Sequence, residues 1–198
     1  MAKTLLELAG ADLTPPKLGD TVLVVIDAQR EYVDGKLPLP GADAALSQIA
    51  RLLEKARAAG APVIHVQHKG KAGGLFDPAT PSFEIAGKAA ANSGETIVEK
   101  GLPNAFAGTN LKDAIDATGR KRLVLAGFMT HMCISSTARA ALDLGFQTTV
   151  VADASATRDL PVATVEGEVL TADDLHRAEL AMLADRFAIV CSTDQLVN

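Results

Sequence analysis

Apolar residues gather into short, nearly continuous runs separated by stretches with a different period. Six such runs recur: Val22–Ile26, Pro62–Val66, Thr96–Val98, Leu123–Ala126, Thr148–Ala152 and Phe187–Val190. They are rich in β-branched residues and lack polar alternation, which predicts strands buried on both faces. Most of the intervals between them are helical in pattern. In Ala44–Ala59 the residues Leu46, Ile49, Leu52, Leu53 and Ala56 form a stripe at helical spacing, and Gly60 follows as a stop. Asn110–Thr118 before Gly119, Cys133–Leu144 before Gly145, and Thr171–Asp185 read as further helices. The last opens on Thr171 with Asp174 three residues on, close to a capping box.

This alternation predicts an α/β fold: a doubly wound, mostly parallel sheet with helices on both faces, in three layers. Two segments break the pattern, His68–Gly94 and Ala154–Leu170. Both leave the C-terminal ends of strands, where open α/β sheets bind ligands, and long connections there serve as lids or binding loops. Residues 1–18 read as an N-terminal arm with one short helix on a single domain spanning 1–198.

Composition narrows the function classes. The chain has 198 residues, 48% apolar and 22% charged, as a globular domain should. A net charge of −5, no Trp, one Tyr and no basic cluster argue against nucleic acid as a partner. No apolar stretch is long enough to cross a bilayer, and Glu7 interrupts any signal-peptide core, so no membrane partner is expected. Cys133 and Cys191 form no metal or disulfide pattern, and the expected compartment is the reducing cytoplasm.

Cys133 draws attention by position. The fourth run leads through Gly127-Phe128-Met129-Thr130-His131-Met132-Cys133 into a helix, which puts the thiol in a first helical turn with Thr130 as the prospective cap. That setting lowers a thiol pKa; the alternative is a small buried packing residue. Asp27 directly follows the first run and Lys100 the third. Parallel strands share one C-terminal edge, so an acid, an ammonium and a thiol converge on a single crevice.

Together, Val24-Val25-Ile26-Asp27-Ala28-Gln29, Glu99-Lys100 and Gly127 to Cys133 resemble the isochorismatase-like cysteine hydrolase family, over roughly Thr21 to Leu196. The resemblance implies strand order 3-2-1-4-5-6 and a cis peptide at Phe128–Met129. It also implies a catalytic set of Asp27, Lys100 and Cys133, with the backbone N–H groups of Met129 and Cys133 as the oxyanion hole. The implied reaction is hydrolysis of a C–N bond in a small amide or ureide through a thioester, without a cofactor, in a homodimer or homotetramer. Family members that hydrolyse the vinyl ether of isochorismate generally lack this cysteine, so that activity is the alternative, alongside a thiol-redox protein pairing Cys133 with Cys191 and a non-catalytic scaffold. Gln29 and Tyr32 after the first strand, Asn104 and Phe106 after Lys100, and His131 and Met132 beside the thiol are the candidate substrate-binding residues. No metal is expected. His65 and His68 stand three apart on a strand and face opposite ways, and the Asp-x-His pair of nicotinamidase-type members is missing from Gln67-His68-Lys69. His176 is expected as a helix-surface residue.

Overall fold

The structure, a computed structural model, describes residues 2–197. A short helix, α1 (Leu5–Leu8), lies in the N-terminal arm, closed by a capping box between Thr4 and Glu7. Then follow β1 (Val22–Ile26), α2 (Ala42–Ala58), β2 (Val63–His68), β3 (Thr96–Lys100), α3 (Leu111–Asp116), β4 (Arg122–Phe128), α4 (Ser135–Asp143) and β5 (Gln147–Ala156). A two-stranded hairpin, β6 (Leu160–Pro161) and β7 (Val169–Leu170), interrupts the alternation before α5 (Ala172–Arg186), β8 (Ile189–Cys191) and α6 (Asp194–Val197). The main sheet runs β3-β2-β1-β4-β5-β8, and all its pairs are parallel. This is the expected order, with β8 as the sixth strand.

Two apolar cores flank the sheet because its central strands bury alternate residues on opposite faces. Leu23 and Val25 of β1 join α2 residues such as Leu46, Ile49 and Leu53 on one face. Val22, Val24 and Ile26 join Leu111, Ile115, Ile134 and Leu183 on the other. Every residue of β1 is buried, and each Val, Leu or Ile so placed contributes about 1.5–3 kcal/mol.

The chain turns sharply where β1 and β4 end side by side. Gly127 pairs with Ile26, has φ 120°, and a Cβ there would lie 1.9 Å from the Ile26 carbonyl oxygen. Only glycine permits that approach, which brings the end of β4 against Asp27. Asp27 itself adopts φ 51°, a left-handed conformation that Asp tolerates better than most residues.

Two boundaries differ from expectation in ways that matter below. Lys100 is the last residue of β3 rather than the residue after it, and it pairs in register with His68, the last residue of β2. The helix carrying Cys133 opens with a wide π-type turn, Thr130–Ile134, before α4 begins at Ser135. Thr130 therefore lies inside the first turn, and no side chain caps this end.

Candidate active site

β1, β3 and the turn after β4 bring Asp27, Lys100 and Cys133 together. Lys100 Nζ lies 2.7 Å from Asp27 Oδ2 and 3.3 Å from Cys133 Sγ. Its third proton faces His68 Nδ1 at 3.0 Å, a contact set by the β2–β3 register. An ammonium has three donors; here two meet Cys133 and His68, and the remaining side of the ammonium lies against Asp27. The Asp27 and Lys100 side chains are wholly buried, and Cys133 is 4% exposed. The Asp27–Lys100 contact is short but poorly aligned: neither carboxylate oxygen has a well-directed hydrogen bond among the described residues, so the attraction is mainly between charges.

Burial governs the proton affinities. It pushes the Asp27 carboxyl above its ordinary range, against the pull of the Lys100 ammonium. Burial, reinforced by the Asp27 charge and opposed by Lys100, pushes the Cys133 thiol up to about 12. The expected lowering by a helix N-terminus does not occur, because desolvation of the buried sulfur outweighs it. His68 moves the other way, down to about 4, by burial and then by Lys100, and stays a neutral imidazole.

A ring of side chains closes the crevice. Tyr32 meets Phe76 and Phe128 edge-on, with centroids 5.1 and 5.7 Å apart, and Phe76 packs 5.0 Å from the His68 ring. Burial, then the nearby Cys133 and Asp27 charges, raise the Tyr32 phenol above its usual range. Phe76 belongs to the His68–Gly94 connection. Buried Glu31 holds that segment by accepting from the Phe76 amide at 2.9 Å.

The remaining candidates divide. Tyr32 lies within reach of the Cys133 and Asp27 charges, His131 Nδ1 hydrogen-bonds to Thr157 Oγ1, and Met132 is 36% exposed. Gln29 does not line the pocket: its amide donates to the carbonyls of His68 (3.0 Å) and Phe83 (2.8 Å) and accepts from the His68 amide (2.8 Å). It fastens the connection to β1. Phe106 stacks on Phe146 at 5.9 Å and belongs to the core, while Asn104 accepts from the Phe106 amide at 2.9 Å and shapes that turn. His176 is half-buried rather than a surface residue, and its Nδ1 lies 2.8 Å from Thr130 Oγ1. It ties α5 to the turn that carries Cys133. His65 and His68 do face apart: His65 Nε2 meets Glu95 Oε2 at 3.0 Å.

Two further features bear on chemistry. The Phe128–Met129 peptide is cis, and the Met129 amide makes no backbone hydrogen bond among the described residues. Cys191 packs in the core on the α2 face while Cys133 lies in the opposite core, so the sheet separates the two sulfurs and a Cys133–Cys191 redox pair does not form in this fold. Clefts also lie away from this site. One of about 580 Å³ runs under the N-terminal arm between Leu13, Pro15, Phe146 and Phe187, and it contains no Cys or His.

Residues 21–195 match the isochorismatase domain family. The chain belongs to this family. A secreted isochorismatase effector from Verticillium dahliae is 40% identical over 89% of this chain and 90% of its own length. A streptothricin hydrolase from Streptomyces noursei is 36% identical over 85% of this chain and 61% of its own length. A crystal structure of an isochorismatase from Pseudomonas putida matches at a TM-score of 0.94 and 43% identity, covering 100% of both chains. More distant relatives are named nicotinamidase and maleamate amidohydrolase. The chain is thus an isochorismatase-family hydrolase with amide-cleaving relatives.

Proposed function

We propose that this hydrolase cleaves a C–N bond of a small amide or ureido substrate through a thioester on Cys133, with Asp27 as the proton carrier. One observation carries the reading: a single buried ammonium touches both a carboxylate and a thiol, at 2.7 and 3.3 Å.

The buried site favours zero net charge, since an unpaired ion out of water is costly. Lys100 supplies one positive charge, so one anion balances it. Asp27 and Cys133 share the remaining proton, and moving it from sulfur to carboxylate leaves the net charge unchanged. Thiolate forms by that transfer and not by titration to solvent, consistent with burial raising both groups.

The thiolate attacks the carbonyl carbon, and the tetrahedral oxyanion is held by the amides of Met129 and Cys133. Such a donor is typically worth about 2.7–4 kcal/mol in the transition state. Asp27 passes its proton to the departing nitrogen, and ammonia or an amine leaves. Water then gives a proton to Asp27 and attacks the thioester; collapse frees the acid and the thiolate, which recovers the proton. Vinyl ether hydrolysis forms no acyl intermediate and has no use for the thiol. The presence of Cys133, and the relatives named for amide cleavage, support the C–N reading.

The test is ammonia release across a panel of small carboxamides and ureides, with isochorismate scored by pyruvate release. Turnover by the native protein and none by Cys133→Ala, at matched circular dichroism, is the expected result. Normal turnover by Cys133→Ala, or activity on isochorismate alone, would overturn the reading.

A further inference from the structure

The cleft under the N-terminal arm opens at the other edge of the sheet from Cys133. Arg122, which lines it, is the first residue of β4, and Cys133 follows the last, so a strand length of about 20 Å separates them. The arm roofs this space without filling it. α1 buries none of its residues and is fastened by the Leu5 amide, which donates to Asp185 Oδ1 at 2.9 Å. Pro15 and Pro16 stiffen the stretch that follows, since each ring fixes φ and keeps the residue before it out of the helical region. Leu13, Pro15, Leu142, Phe146, Phe187 and Ile189 give the cleft an apolar lining around about 580 Å³. That volume lies within the ~300–1,000 Å³ typical of small-molecule sites. Thr148 lines it too, and its hydroxyl is buried without a partner among the described residues.

The charged groups around the cleft do not balance. Lys17, Arg122 and Arg186 line it against Asp12 and Asp20, and none of the five forms an ion pair among the described residues. Asp12 Oδ1 is taken by the Thr14 amide at 2.9 Å. Arg122 uses Nε alone, toward Gln147 Oε1 at 3.2 Å, and both its Nη groups are free. Arg186 ends α5, where a cation serving the helix would donate to the last carbonyls, yet it makes no hydrogen bond among the described residues. Arg122 also borders a neighbouring cleft with Arg120, whose guanidinium meets only the Thr21 and Gly60 carbonyls. A chain of net charge −5 thus keeps a positive surplus beside an apolar hollow.

We infer that this cleft is a second binding site, for a small amphipathic acid. The apolar body, a short alkyl chain or one aromatic ring, lies under the arm, and the carboxylate meets the guanidinium groups of Arg122 and Arg186. Burial of the body supplies affinity, and the charge-assisted contact supplies the preference for an acid. The site is separate from Cys133 and does not depend on the chemistry proposed there.

Calorimetry on the full chain tests it, with octanoate against 1-octanol, 4-phenylbutyrate against 4-phenylbutanol, and acetate as the acid without a body. At least one of the two larger acids should bind about tenfold more tightly than its alcohol, and acetate should not bind measurably at millimolar concentration. Both arginines are exposed, so Arg122→Met and Arg186→Met leave the fold in place. Together they should shrink the acid-to-alcohol ratio to about twofold or less, and each alone should give an intermediate value. Methyl spectra locate the ligand: Leu13, Leu142 and Ile189 should shift on binding, and Met132, next to Cys133, should not. No binding of either larger acid at millimolar concentration, equal affinity for acid and alcohol, or an unchanged ratio in the double variant would overturn the inference. So would shifts at Met132 alone, which would put the acid in the Cys133 site. Sedimentation showing self-association that the double variant abolishes would also overturn it, by making the cleft a seat for a second copy of the chain.

Discussion

Strands β2 and β3 carry an ionic cluster at each end, and the two differ in how completely they are satisfied. At the start of β3, Glu95 accepts from Arg57 Nε and Nη2 (2.8 and 2.9 Å), from the Asn92 amide (2.7 Å) and meets His65 Nε2 (3.0 Å). At the far end, Lys100 faces Asp27, Cys133 and His68, and the carboxylate has no well-aligned partner. Each cluster takes a histidine from the same strand, three residues apart and on opposite faces. Where every lone pair is used, protonation is costly and the group is structural. Where a carboxylate is crowded yet unsatisfied, a proton can move, and such sites are where chemistry concentrates.

The largest expected effect breaks the two ends apart by activity. Asp27→Asn removes the proposed proton carrier while keeping the side chain's shape. Turnover should fall at least about a thousandfold, as general-base and nucleophile activation are lost together. Circular dichroism at the assay temperature should show the fold intact, although the buried Lys100 ammonium loses its counter-charge and the melting point should fall. Near-native turnover in Asp27→Asn would place the proton carrier elsewhere.

Glu95→Gln should do the reverse. Burial raises the Glu95 carboxyl, but the Arg57 hydrogen bond, the Asn92 amide and His65 outweigh it and hold it down at about 2, against an ordinary 4.5. A depressed carboxylate stabilises the folded state above its unfolded pKa, and that stability drains away as pH falls through the folded value. The window is therefore pH 4.5 down to about 2. Glu95→Gln should cost about 2–3 kcal/mol near neutral pH and flatten the acid side of the stability profile. Denaturant melts across that range, with kcat recorded alongside, check both halves. Loss of activity without loss of stability would merge the two clusters into one.

Much of this layout was legible from pattern alone, and the failures share a cause. Six apolar runs map onto six strands because buried parallel strands leave no other pattern, and Asp27, Lys100 and Cys133 meet because strand ends share an edge. His68 was weighed only as a metal ligand, because its link to Lys100 depends on strand register, a fact of pairing and not of local sequence. Gln29 was expected in the pocket because its neighbours along the chain cannot show that it spans to His68 and Phe83. Thr130 reads as a cap, yet the wide turn pulls it inside the helix and gives its hydroxyl to His176. The raised thiol pKa of Cys133 came from depth of burial, which spacing does not encode.

The subtlest effect sharpens the comparison at His68. Burial is the larger reason its pKa falls to about 4, and the Lys100 charge is the second. A histidine depressed from 6.5 stays neutral through mild acid, and the stability linked to it is lost as pH falls from 6.5 toward 4. The Lys100 donor occupies Nδ1, so the neutral ring must carry its proton on Nε2. Nitrogen-15 imidazole spectra should show that tautomer and a midpoint near 4 in the native protein. Lys100→Met removes the second cause and leaves the first, so the midpoint should climb without reaching 6.5. A native midpoint at 6.5, or the Nδ1–H tautomer, would mean that Lys100 does not donate to His68. The Asp27 end of the strands would then hold three groups rather than four, and its contrast with the saturated Glu95 end would rest on Asp27 alone.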